Sequence, residues 1–154
     1  MTDLSRRALL IGGGVILVGA AIYIAGGRNL YYSAITETSG AAQIDPPTAH
    51  QQAIAGDITL IDIRRPDEWE RTGSGEGANR LDMRREDFVD ALLTLTGGET
   101  DKPVALICAR GVRSARLSNQ LAEAGFSNII DVPEGMLGSG AGPGWLKRGL
   151  PVVQ

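Results

Sequence analysis

The residue with the clearest chemical potential is Cys108, the only cysteine among the 154 residues. It follows Val104–Ile107, an uninterrupted apolar run that indicates a strand buried on both faces of a parallel sheet. From Ser114 onward, apolar residues recur at helical spacing, which predicts a helix with Ser114 as its N-cap and Gly125 as its C-terminal stop. We therefore expect the thiol at the junction between a buried strand and a helix N-terminus.

The loop between that strand and that helix has the composition of an anion-binding cradle. Backbone N–H groups of a loop curled over a helix N-terminus point inward and bind anions. Gly111 permits a positive φ. Arg113 offers a planar guanidinium that is permanently charged, and Arg110 is a second cation. These groups all favour a thiolate, so we expect Cys108 to be a reactive nucleophile rather than a small buried hydrophobe. The residues predicted to bind substrate are Ala109, Arg110, Gly111, Val112, Arg113 and Ser114.

Residues 108–114, CARGVRS, resemble the C-x-x-G-x-R-S active-site loop of rhodanese-type sulfurtransferases. Three further segments resemble motifs of that family in the same order. Residues 60–69 are similar to L-I-D-V-R-x-x-x-E-[YFW], residues 76–78 to P/E-G-A, and residues 144–152 to W-x-x-x-G-x-P-V. The four matches span residues 43–154, which makes the resemblance far more specific than an isolated cysteine loop.

The chain departs from the usual family pattern in two places. Many members have G-H-I-P-G-A where residues 73–78 read GSGEGA, so the usual histidine is absent. Arginine often follows the cysteine directly, whereas here Ala109 follows and Arg110 comes next. These differences leave the substrate preference open.

The resemblance implies a sulfur-transfer mechanism centred on Cys108. The thiolate would attack the outer sulfur of a sulfane donor such as thiosulfate, become a persulfide, and pass that sulfur to cyanide or a thiol. Loop amides, Arg113 and Arg110 would stabilise the anionic donor and the terminal persulfide charge. The sequence contains no metal-ligand cluster, phosphate-binding G-x-x-x-x-G-K motif or dinucleotide fingerprint, so we expect no cofactor and no metal.

Two other functions use the same cysteine. A cysteine phosphatase would exploit the anion cradle, but phosphatases have five residues between cysteine and arginine, whereas four separate Cys108 from Arg113. A membrane-tethered persulfide carrier or redox-sensing module would hold sulfur without turnover. The sequence disfavours the phosphatase and does not separate the carrier from the enzyme.

Four other polar or aromatic residues stand out in the domain. Asp62 and Arg64 lie near the carboxyl end of a predicted strand, where we expect an ion pair or turn contact that braces the cysteine loop rather than a direct substrate contact. His50, the only histidine, is expected on a solvated helix surface. Trp145 is expected to anchor a last short helix to the core.

Strands and helices alternate along residues 43–154 and predict an α/β domain. The predicted strands are residues 59–64, 78–81, 104–107 and 128–132. The predicted helices are residues 46–55 and 86–95, a short helix beginning at Glu68 and Trp69, and the helix between Ser114 and Gly125. Phe88, Leu92 and Leu95 are expected to face the core. This order favours a layered domain with a parallel sheet and helices on both faces.

The first 28 residues have the pattern of an export signal or membrane anchor. Residues 8–25 carry no charge, and Arg6 and Arg7 precede them, similar to a twin-arginine signal. Cleavage after residues 18–20 would leave an apolar overhang, so we favour a retained anchor that contacts the membrane through residues 8–27. The positive-inside tendency then places residues 29–42, a predicted linker, and the domain on the bacterial periplasmic side.

The charge of the domain and its single cysteine restrict its partners. Residues 43–154 hold 12 Lys and Arg against 16 Asp and Glu, a net charge of −4, which argues against a nucleic-acid partner. Paired cysteines form disulfides in an oxidising compartment, but Cys108 has no partner within the chain. The expected partners are a small anionic sulfur donor and a thiol or cyanide acceptor.

Overall fold

A five-stranded parallel sheet forms the centre of the molecule. The computed structural model describes residues 27–154, and its sheet has the order β1-β6-β5-β2-β4. The strands are β1 (Ala42–Gln43), β2 (Thr59–Asp62), β4 (Asn79–Arg80), β5 (Val104–Ile107) and β6 (Ile129–Asp131). A separate antiparallel pair joins β3 (Ser74–Gly75) to β7 (Val152–Val153). Because all five strands of the main sheet run parallel, their carboxyl ends meet at one edge.

Within residues 27–154, five helices surround the sheet: α1 (Arg28–Ile35), α2 (Pro46–Ala55), α3 (Pro66–Thr72), α4 (Phe88–Thr96) and α5 (Val112–Glu123). Local chemistry sets several of their ends. The Asp45 carboxylate accepts a hydrogen bond from the Thr48 amide at 3.0 Å at the start of α2, and Gly56 ends that helix with φ +80°. Pro66 occupies the first position of α3, where its missing N–H has no helical partner to lose.

The strand residues alternate between two apolar clusters on opposite faces of the sheet. On one face, Ile61, Leu106 and Cys108 pack with side chains from α4 and α5. On the other face, the cluster contains Leu60, Ala105, Ile107, Ala49 of α2, Val132, Met136 and Trp145. Helices therefore cover both faces, as the alternating pattern predicted, and each fully buried Leu or Ile contributes about 1.5–3 kcal/mol.

Several predicted elements differ in extent from those in the structure. Strands 59–64, 78–81 and 128–132 are each shorter than predicted, and α4 runs from Phe88 to Thr96 rather than over 86–95. Leu95 was predicted to face the core but is 42% exposed. Trp145 is fully buried and donates from Nε1 to the Pro151 carbonyl at 2.9 Å, although turns replace the short helix predicted after it.

Residues 29–42, predicted as a linker, contain ordered structure that contacts the domain. They include most of α1 and the first residue of β1, which pairs with Ile130. The expected signal or anchor at residues 1–28, with its membrane contact at residues 8–27, lies almost wholly outside the described residues. In the described part of the chain, no helix has the length and apolar character needed to span a membrane.

Candidate active site around Cys108

The cysteine loop connects the carboxyl end of central strand β5 to the start of α5. Gly111 is the N-cap of α5, with φ +82°, and the helix begins at Val112. A Cβ at Gly111 would collide with the Pro133 carbonyl oxygen, so the close approach of the two loops requires glycine here. Ser114 was predicted as the N-cap but lies within the first turn, where its hydroxyl donates to the Gly111 carbonyl at 3.1 Å.

Cys108 lines a cavity of about 370 Å³. The Gly111 amide donates a hydrogen bond to Sγ at 3.1 Å, and the thiol lies 3.6 Å from the Ser114 hydroxyl, to which it donates. The side chain of Cys108 is otherwise buried, with 1% of its surface exposed. An amide pointing at Sγ from a helix N-terminus stabilises negative charge on the sulfur, which is the charge a nucleophilic thiolate carries.

Arg113 extends over the same cavity, but its guanidinium is held by a carboxylate. Its two terminal nitrogens donate to Glu68 at 2.8 and 2.7 Å, in a bidentate pair. Glu68 is placed by α3, where its Oε2 also accepts from the Arg65 amide at 3.1 Å. Burial opposes ionisation of Glu68, yet the Arg113 guanidinium and the Arg65 amide hold the pKa of this carboxyl below its ordinary value. In the sequence, Glu68 is predicted only to begin a short helix, and its contact with Arg113 is not predicted.

Arg110, the second arginine of the loop, is held by different partners from those of Arg113. Its Nη1 donates to the Gly138 carbonyl at 3.0 Å, and its guanidinium carbon lies 5.2 Å from the centre of the Tyr32 ring. Tyr32, Arg110 and Arg113 all line the cavity. Tyr32 belongs to α1 and was not predicted as a site residue, because nothing in the local sequence relates it to the cysteine loop.

Asp62 and Arg64 form a buried ion pair that does not line the cavity. Arg64 donates from Nε and Nη2 to the Asp62 carboxylate at 2.7–3.1 Å, and both side chains are at most 1% exposed. The same guanidinium reaches the Thr72 hydroxyl at 2.8 Å and the Gly73 carbonyl at 2.7 Å. These hydrogen bonds tie the end of β2 to the end of α3, the helix that carries Glu68, rather than to the cysteine loop.

A buried carboxyl group, Asp131, lies at the end of β6 beside the cysteine strand. It is 1% exposed, and its Oδ1 has no hydrogen-bond partner among residues 27–154. Burial raises the pKa of Asp131 to about 6, and the polar Ser114 hydroxyl and Val132 amide nearby only partly oppose this shift. No sequence motif identified Asp131 as a residue close to Ser114.

The remaining polar candidates are away from the cysteine. His50 lies on α2, half-buried, and its Nε2 is 2.8 Å from Glu76 Oε2 while its ring packs against Trp145. Among residues 27–154, no group of three or more His, Cys, Asp or Glu side chains is arranged to hold a metal ion.

The family model for the Rhodanese-like domain matches residues 45–138. The polysulfide-sulfur transferase of Wolinella succinogenes, a homodimer, has a TM-score of 0.56 to this chain at 27% identity, covering 85% of this chain and 89% of that one. A thiosulfate sulfurtransferase from Pseudomonas aeruginosa shares the fold, with a TM-score of 0.57 at 18% identity over 74% of this chain and 20% of that one. An uncharacterized Rickettsia prowazekii protein is 26% identical over 98 residues, 60% of this chain and 80% of its own length. The resemblance drawn from the sequence motifs is thus confirmed at the level of the domain, and the chain belongs to the rhodanese-like domain family.

Proposed function

We propose that this protein is a sulfurtransferase that carries a sulfane sulfur on Cys108. The observation that carries the proposal is that Cys108 lines a cavity together with Arg110 and Arg113, and that its Sγ accepts a hydrogen bond from the Gly111 amide. Such a site combines a nucleophile with fixed positive groups around the place where an anionic reactant must lie. Two solved sulfurtransferases with similar folds support the same reaction class.

With thiosulfate as donor, the first step is an attack by the Cys108 thiolate on the outer sulfur. A sulfur–sulfur bond forms between Sγ and that sulfur while the original sulfur–sulfur bond breaks, and sulfite leaves with the bonding electron pair. The cysteine becomes a persulfide whose terminal sulfur carries the negative charge. In the second step cyanide attacks the terminal sulfur, thiocyanate leaves, and the thiolate is restored. No proton or external oxidant is needed in either step.

The loop favours the persulfide through the same groups that surround the thiol. The terminal sulfur extends from Sγ into the cavity, where the first turn of α5 presents its amides and the positive end of its dipole. The bidentate hydrogen bond from Arg113 to Glu68 keeps that guanidinium at a fixed place beside the cavity. A fixed charge needs no reorganisation when the anionic intermediate forms.

The decisive test follows the mass of the full-length chain. Because Cys108 is the only cysteine, any persulfide detected by intact mass spectrometry after exposure to thiosulfate belongs to this residue. We expect a gain equal to one sulfur atom, lost on addition of cyanide as thiocyanate forms, and we expect Cys108→Ser to show neither event. Sulfur loading without transfer to cyanide or a thiol would refute turnover and indicate a carrier. Absence of loading would refute the proposal, and phosphate release from an aryl phosphate would then favour a cysteine phosphatase.

A further inference from the structure

A buried polar cluster lies on the face of the sheet that α5 covers, next to the cysteine loop. Asp131 ends β6 and is in register with Leu106 of β5, two residues before Cys108. Leu106, Cys108 and Ile129 belong to the apolar cluster that packs against α5. Because side chains two positions apart on a strand share a face, Asp131 lies on this face as well.

Two oxygen atoms of the polar cluster have no hydrogen-bond partner among residues 27–154, Asp131 Oδ1 and Ser118 Oγ. Ser118 lies one turn after Ser114 on α5, and both serines are at most 1% exposed. A buried polar atom without a partner destabilises the fold, and such an atom calls for an explanation in function. The sulfur-transfer steps described above do not use Asp131.

Ser114 links Asp131 to the sulfur. Its hydroxyl lies 3.6 Å from Cys108 Sγ and donates to the Gly111 carbonyl at 3.1 Å. The same hydroxyl opposes part of the rise that burial causes in the pKa of the Asp131 carboxyl. A serine hydroxyl has one hydrogen to donate. The sulfur, the Gly111 carbonyl and the Asp131 carboxyl therefore compete for a single hydrogen.

The charges of the elements around Asp131 leave the cysteine as its titratable neighbour. Strands β1 and β5, which flank β6, contain no charged residue. On α5 and in the turn after β6, each charged side chain is exposed or paired elsewhere: Arg113 with Glu68, Arg116 with Glu37, Glu123 in solvent and Glu134 with Arg148. In the part of the chain that the structure describes, the Cys108 thiol is thus the titratable group that faces Asp131.

We propose that Asp131 is a positioning residue that sets the reactivity of Cys108 by controlling the direction of the Ser114 hydroxyl. The inference rests on the proposed sulfur transfer, since it concerns the nucleophile of that reaction. When Asp131 is protonated, its O–H group donates to the Ser114 oxygen, and the Ser114 hydrogen is available to the sulfur. When Asp131 is ionised, its carboxylate is a stronger acceptor and takes that hydrogen, so the thiolate or persulfide loses a donor.

The experiment measures the rate at which iodoacetamide alkylates Cys108 in the full-length chain, followed by intact mass between pH 5 and pH 8. Because Cys108 is the only cysteine, the rate refers to this residue alone. Asp131→Asn keeps the shape and the donor of the protonated acid. We expect its rate to lie within about twofold of the unmodified chain at pH 5 and to be roughly tenfold higher at pH 8. Tenfold corresponds to about 1.4 kcal/mol, near the low end for a hydrogen bond to a charged group. Asp57→Asn, at an exposed turn, is the matched control and should give a ratio near one at both pH values.

A role of Asp131 in stability alone predicts the opposite change. Ionisation of the buried carboxyl destabilises the fold, so Asp131→Asn would open less often at pH 8 and its cysteine would react more slowly. The link through the hydroxyl is tested in a Ser114→Ala background, where Asp131→Asn should change the rate at pH 8 by less than about twofold. A ratio that does not rise with pH, or a tenfold ratio that persists without the Ser114 hydroxyl, overturns the role of Asp131.

Persulfide formation from thiosulfate, followed by mass in the same chains, separates this inference from the proposed function. We expect Asp131→Asn to accelerate loading of Cys108 at pH 8 by the same factor as alkylation. If thiosulfate loads Cys108 but the alkylation ratio does not rise with pH, the positioning role fails while sulfur transfer stands. If thiosulfate does not load Cys108 in the unmodified chain, the proposed function fails whatever the alkylation ratio.

Discussion

The carboxyl group of Asp131 makes the stability of the folded chain depend on pH. This side chain is buried at the end of β6, and its Oδ1 has no hydrogen-bond partner in the part of the chain that the structure describes. Burial raises its pKa from the ordinary value of 3.8 to about 6. The folded state therefore holds the proton over a pH range in which the unfolded chain has released it.

The sign and size of the effect follow from these two values. Below the unfolded pKa both states are protonated, and Asp131 imposes no penalty. As the pH rises through the folded pKa, the free energy of unfolding falls, because the buried carboxylate has poor solvation. Each pKa unit corresponds to about 1.4 kcal/mol, so complete ionisation costs the folded state roughly 3 kcal/mol, and about 2 kcal/mol of this is lost between pH 4 and pH 8.

Replacing the carboxyl with an amide of the same shape removes this dependence. We expect the stability of Asp131→Asn relative to the unmodified chain to rise by about 2 kcal/mol on going from pH 4 to pH 8. In urea unfolding, a slope of about 1–3 kcal/mol per molar converts this into a relative midpoint shift of roughly 1 M. Asp57→Asn, at an exposed turn, is the control and should show no such change. A difference between Asp131→Asn and the unmodified chain that stays constant over this pH range would refute the argument.

Two further substitutions test the ion pairs near the site. Asp62→Asn should destabilise the chain by about 3–5 kcal/mol in thermal or urea unfolding, because it leaves the buried Arg64 guanidinium without its counter-charge; a loss below about 1 kcal/mol would contradict this role. Glu68→Gln should lower KM for thiosulfate about fivefold at low salt, because it removes the negative charge paired with Arg113 at the cavity, and charges a few ångströms apart in water interact by about 1 kcal/mol. This gain should shrink at high salt, and an unchanged or raised KM at low salt would show that Glu68 serves mainly to position Arg113.

The parts of the fold that local patterns determine were predictable. The apolar run at Val104–Ile107 becomes the buried central strand, and Gly56 and Gly97 end α2 and α4 as their C-caps. The two-residue strands β1 and β7 have no such pattern. Each exists because a partner distant in the sequence supplies its hydrogen bonds, which periodicity does not report.

The start of α5 shows how a correct motif can give a wrong boundary. A serine at position 114 is a good N-cap residue when its hydroxyl is available to the helix amides. Here that hydroxyl donates to the Gly111 carbonyl and accepts from the Cys108 thiol. It therefore contacts the cysteine loop and does not cap the helix amides. Gly111, in the left-handed region, takes the N-cap position and brings the first turn of the helix closer to the sulfur.

The charged partners of the loop were not predictable, because they are distant in the sequence. Glu68 lies 45 residues before Arg113, and its two hydrogen bonds to that arginine arise only when α3 packs beside the loop. From the sequence alone, Arg113 is expected to offer its positive charge to an anionic substrate, because the carboxylate that pairs with it is not apparent. The structure changes the electrostatic argument, because a substrate anion must compete with, or lie beside, a carboxylate already bound to that guanidinium.

The residues that surround the sulfur and the cavity come from several parts of the chain. The cysteine, its amide donor and the helix N-terminus all come from residues 108–114, and the strand–loop–helix pattern was sufficient to identify them. Other parts of the cavity lining come from outside the loop, including Tyr32 and Leu137. Because differential contacts decide which substrate is favoured, substitutions at these positions are expected to change selectivity, as are substitutions in the loop itself. A domain with the same loop but without α1 would keep Cys108 and its amide donor and lose the aromatic side of the cavity.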